Sequence, residues 1–143
     1  MTKAWEQALD EDRHSVLDRW SAAAAAQLTG GSSSPVAEAL AAEFGRLIEA
    51  LAGGNPVDEP LVRFTRILAV QELPPSKALS LIFALLPLVD GLTADGRDRF
   101  RDRLDELALQ AFDSFMKHRE TLYQLKVDEG RRQMHMALRR AEA

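Results

Sequence analysis

The sequence predicts an all-α protein of about five helices, and three observations carry that expectation. No segment alternates apolar and polar residues with the two-residue period of a strand. Apolar residues instead recur at three- and four-residue intervals, which lines them along single helix faces. Most glycines and prolines fall between these stretches, in TGGSSSP, AGGNP, LPPS and DGLTADG, where they end one helix and start the next.

The first helix is expected from Ala4 to Leu28. Trp5, Ala8, Leu9, Val16, Trp20, Ala24 and Leu28 fall on or near one stripe, and the alanines from 22 to 26 are strong helix formers. Two tryptophans spaced along one helix read as core fillers. Thr29 to Ser34 ends the helix in a glycine-serine loop, after which Ser34 and Pro35 read as N-cap and first helical residue. A second helix runs from Pro35 to about Leu51, with Val36, Leu40, Phe44, Leu47, Ile48 and Leu51 on one side, and Gly53 and Gly54 stop it. Asn55-Pro56 is a turn signal. Asp58 can cap a third helix over roughly Glu59 to Gln71, with Leu61, Phe64, Ile67, Leu68 and Val70 as its inward set and Arg63 and Arg66 outward. Leu73-Pro74-Pro75-Ser76 breaks the chain, and Ser76 is the natural cap of a fourth helix from Lys77 to Leu92. That segment is apolar nearly all round, which predicts a central, buried helix kinked at Pro87.

The last stretch, Leu104 to Arg140, has no proline and one glycine, Gly130, and is dense in good helix formers. It reads as one very long helix or two joined end to end. Leu104, Leu107, Ala111, Phe115, His118, Leu122 and Leu125 lie on one face, and Met134 and Leu138 extend the pattern beyond Gly130. Unbroken from Thr93 to Ala141, the helix would run roughly 70 Å at ~1.5 Å per residue. A compact chain of this size has a diameter somewhat under about 40 Å. Either the helix bends, at Gly130 or near Asp113 and Ser114, or its C-terminal third leaves the globule. A departing helix would bare Leu122, Leu125, Met134 and Leu138, so a homodimer is expected, with Leu122, Leu125, Lys126, Glu129 and Met134 at its interface. Arg119, Glu120, Lys126 and Glu129 would flank that seam.

Composition sets the outer bounds. A chain of 143 residues is one domain, 1–143, by length, and it can bury a core without staples. Without cysteine it has no disulfide framework and no thiolate ligand or nucleophile. A net charge of -4 opposes nucleic-acid binding, which needs a basic face, and no apolar run reaches the ~18 residues of a membrane span. The N-terminus is acidic rather than signal-like, so the cytoplasm is the expected compartment. The three histidines, His14, His118 and His135, are scattered, and neither glycine-rich loop has phosphate-cradling spacing. No enzyme and no cofactor are expected. The alternative reading is a binder of an apolar ligand or tetrapyrrole, held between the kinked fourth helix and the last by Phe83, Phe112, Phe115 and His118.

Two blocks carry a family resemblance: RxxAVQxxxPSxA from Arg66 to Ala78, and AFDxxxxxREtlYxLKVxExxR from Ala111 to Arg131 or Arg132. With the order of segments around them, they make nearly the whole chain resemble the N-terminal domain of the RsbR-type co-antagonists of the bacterial stressosome, in the RsbRD-like branch. The resemblance implies a globin-like helical domain without haem, dimerising partly through its last helix, and a sensory or protein-interaction role toward a signalling partner. In full-length members of the family a STAS domain follows; this sequence stops at Ala143, so the phosphorylation carried by that domain does not transfer. The loop from Thr29 to Ser34 is longer than the family pattern.

Overall fold

The computed structural model describes residues 4–29 and 34–143, and among them there are six α-helices and no strand. Helix α1 spans Trp5–Glu11, α2 Arg13–Thr29, α3 Pro35–Gly53, α4 Asp58–Ala69, α5 Pro75–Phe83 and α6 Ala94–Glu142, with a short 3-10 turn at Leu86–Leu88. Residues 30–33 of the expected glycine-serine loop lie outside the described residues.

The expected first helix is two. Asp10, Glu11 and Asp12 place three carboxylates at the C-terminal end of α1, where they oppose the helix dipole, and at the start of α2, where they favour it. The break at Asp12 lets each half bury a different face: Trp5 stacks on Phe100 of α6 with ring centroids 4.9 Å apart, while Val16, Trp20 and Ala24 are buried in the core. An Arg19 Nη2 to Asp12 contact of 3.5 Å ties the junction.

Helix α3 starts as its sequence predicts. Ser34 Oγ accepts from the Ala37 N–H at 3.1 Å, Pro35 is the first residue, and Gly54 (φ 67°) closes the far end in the left-handed region. Ser34→Ala is expected to destabilise the fold by about 1 kcal/mol in a denaturant titration. Helix α4 departs in detail. Asp58 is its first residue, not a cap, and Val70 is exposed beyond its end. Ser76 likewise lies inside the first turn of α5, after Pro75, and caps nothing.

The fourth predicted helix ends at Phe83, four residues before Pro87, because the proline ring crowds the carbonyl of that residue and supplies no N–H. The chain turns instead through Leu86–Leu88, and Arg19 donates to the Leu88 carbonyl at 2.5 Å. Nor is α5 buried all round. Ala78, Leu81 and Ile82 face the core, but Phe83 is 47% exposed, so the apolar excess of this segment lies on its outer side.

The core sits elsewhere. Trp20, Phe44 and Phe64, all fully buried, form an aromatic column from α2 through α3 to α4, with centroid spacings of 3.9 and 5.4 Å. Trp20 Nε1 donates to the Leu81 carbonyl at 2.7 Å and thereby fixes α5 to α2. Beside this column Glu43 is buried at 5% exposure, accepting from Arg46 at 2.6 Å and from Arg63 at 3.1 Å through both carboxylate oxygens. Glu43→Ala leaves two half-exposed arginines that water can solvate, so the expected loss in the same titration is about 1–3 kcal/mol rather than the larger cost of a stranded buried charge.

Candidate interaction surface on the last helix

Helix α6 is one unbroken helix of 49 residues, about 73 Å at ~1.5 Å per residue. Thr93 Oγ1 caps it, accepting from the Gly96 N–H at 3.0 Å. Phe100, Leu104, Leu107, Ala108, Ala111 and Phe115 bury its first half against α1, α4 and α5; beyond Phe115 no residue is buried, and from Asp128 onward every residue is exposed. Of the alternatives left by the length of the sequence, the helix takes departure from the globule, with no break at Asp113, Ser114 or Gly130.

The point of departure is fastened by three polar side chains. Ser114 Oγ and the buried Thr65 Oγ1 share a hydrogen bond of 2.7 Å. His118 Nε2 stands 3.2 Å from the Val62 carbonyl oxygen and so carries the ring hydrogen toward α4. Arg119 makes the largest contribution: Nε donates to the Ala69 carbonyl at 2.7 Å, and Nη2 to those of Gln71 and Leu73 at 2.8 Å each. Its guanidinium also lies 4.6 Å from the Phe115 ring centroid. Arg119 therefore faces its own globule, where a residue flanking a helix seam is expected to face outward. It satisfies the last carbonyl of α4 and two carbonyls of the turn that follows.

At roughly 100° per residue, a helix that does not break carries two apolar stripes here. One faces the core from Phe100 to Phe115 and runs outward through Leu122, partly exposed, and Leu125, 59% exposed. The other lies about 120° round: Leu109 (70% exposed), Phe112, Met116, Tyr123 (69%), Val127, Met134 (68%) and Leu138. Met134 and Leu138 belong to this second stripe, because Gly130 does not reset the helix. The predicted interface residues thus divide. Leu122, Leu125 and Glu129 share the core-side face, with Lys126 at its edge, while Met134 lies on the other. Tyr123 and Val127 were legible from the spacing 116, 120, 123, 127, 130, 134, which a search for a single stripe passes over.

The inner end of the second stripe opens into a groove of about 380 Å³ between α5 and α6, lined by Leu79, Phe83, Asp105, Ala108, Leu109 and Phe112. Only Phe83 and Phe112 of the four predicted pocket residues meet there. Phe115 is fully buried beneath Arg119, and His118 points to α4, so the four do not converge on one cavity. Among the described residues no group of three His, Asp or Glu side chains is placed to hold a metal ion, and no helix is long and apolar enough to cross a membrane. Neither a protein-family model, nor a curated protein, nor a solved structure matches this chain.

Proposed function

We propose that this chain is a non-enzymatic sensory or interaction module of cytoplasmic bacterial signalling, working as a homodimer whose interface and output are both α6. The observation that carries the reading is the second stripe: a helix leaving its globule with Tyr123, Val127, Met134 and Leu138 along one face. Large apolar side chains spaced by threes and fours on an exposed helix are the pattern that a partner helix covers.

The junction supports the sensory part. Arg119 grips the turn between α4 and α5 at the residue where α6 departs, so a protein that docks on that turn and displaces it also changes the seating of the rod. Both blocks of the stressosome resemblance meet in this contact, Ala69, Gln71 and Leu73 from one and Arg119 from the other. The globin-like, haem-free skeleton implied by that resemblance belongs to the same proposal.

Light scattering at micromolar concentration is expected to return twice the chain mass of 15.9 kDa. The double change Val127→Glu and Met134→Glu touches no core residue and should weaken association by about 100-fold or more, since carboxylates would have to be buried without partners. A monomer from the unaltered protein, with the helix fully formed by circular dichroism, removes the basis of the proposal.

A further inference from the structure

The two halves of α6 are matched in length: residues 94–118 lie against the globule and 119–142 stand beyond it, each about 36 Å at ~1.5 Å per residue. The second stripe runs along the outer side of both, and its inner end is the groove holding Phe83, Leu109 and Phe112. Charge is divided at the same place. With Arg119 held by the body, residues 120–143 carry five basic and four acidic side chains, whereas 1–119 carry thirteen and eighteen.

We propose that the second copy binds antiparallel, the rod of each chain lying along the outer face of the other's α6 and its end reaching the α5–α6 groove. This rests on the dimer reading and specifies which surface the rod covers. In the register that the stripe selects, Met134 of one copy sits beside Leu109 of the other, Val127 beside Met116, and Glu120 beside Tyr123. Leu138 then sits beside Asp105 at the mouth of the groove. The net positive rod meets the net negative body, and the groove and the rod are covered by one contact.

A parallel pair has the opposite properties. It faces Gly130 and Ala137 with themselves so that no large side chain fills the space, and places two rods of like net charge together.

The chain has no cysteine, so Met134→Cys gives one unique site for a nitroxide, and Leu109→Cys a second; both native side chains are exposed, which spares the core. Dipolar distances measured on each singly labelled full-length chain are expected to be on the order of 37 Å, since each site lies about 12 residues from the centre of the pair at ~1.5 Å per residue. Distances near the ~10 Å spacing of adjacent helices overturn the antiparallel arrangement and leave the dimer standing. A dimer mass with distances matching neither value also overturns it. No dipolar signal together with a monomer mass overturns the dimer reading itself.

Discussion

Replacing Trp20 by alanine should remove about 3–5 kcal/mol of folding stability. The side chain is fully buried, its ring lies 3.9 Å from that of Phe44 at an interplanar angle of 17°, and its indole N–H reaches the Leu81 carbonyl at 2.7 Å. Truncation therefore empties the α2 end of the aromatic column and unties α5 from α2 in one step. A single domain holds only about 5–15 kcal/mol in total. The variant is expected to melt on the order of 10–20 °C below the parent, at a few degrees per kcal/mol, when followed by helical circular dichroism. Trp20→Phe separates the two contributions: it keeps most of the packing and strands the carbonyl, for an expected loss of about 1–3 kcal/mol. A loss under about 1 kcal/mol for the alanine variant would contradict the placement of α2.

Arg119→Ala is the second large effect, at about 2–4 kcal/mol. Three carbonyl oxygens from Ala69, Gln71 and Leu73 lose their donor together, and Phe115 loses the guanidinium above its ring. The partly exposed setting lets water recover some of this, which keeps the figure below three full charged hydrogen bonds. Arg119→Lys should restore less than half, because an ammonium is a point donor and cannot reproduce the planar fork that spans three acceptors. Hydrogen exchange supplies the local readout. The amides of Ala69 to Leu73 should lose protection in the alanine variant, while those of α2 and α3 keep theirs. The dimer mass is expected to persist, since the proposed seam lies on another face. Loss of dimerisation in this variant would mean that Arg119 belongs to the interface after all.

Helix content and the faces of α3 and α4 were legible because apolar spacing and turn residues agree there. The spacing of Leu40, Phe44, Leu47, Ile48 and Leu51 and the cap at Ser34 point to the same helix. Periodicity failed where one stripe served two purposes. The residues from Trp5 to Leu28 keep a helical period across Asp12, and the interruption is written in charge, as three carboxylates at a helix end, rather than in hydrophobicity. Pro87 predicts a kink, but its reach back to residue 83 ends the helix instead. In α6 the opposite happened: the glycine that invited a bend is absorbed, and the continuous helix carries Met134 away from the face of Leu122 and Leu125. The role of Arg119 could not be read from the sequence, because its acceptors are backbone carbonyls from about fifty positions earlier in the chain.

The chain has one tyrosine and two tryptophans. Tyr123 stands on the rod at 69% exposure, whereas Trp5 and Trp20 are both buried in the body. Near-ultraviolet signals are thereby sorted by chromophore. Indole emission reports whether the body is intact, and the phenol band senses whether the rod has found company. Unlabelled protein thus offers two separate optical channels, so that loss of association on dilution and loss of structure on heating can be told apart in one cuvette.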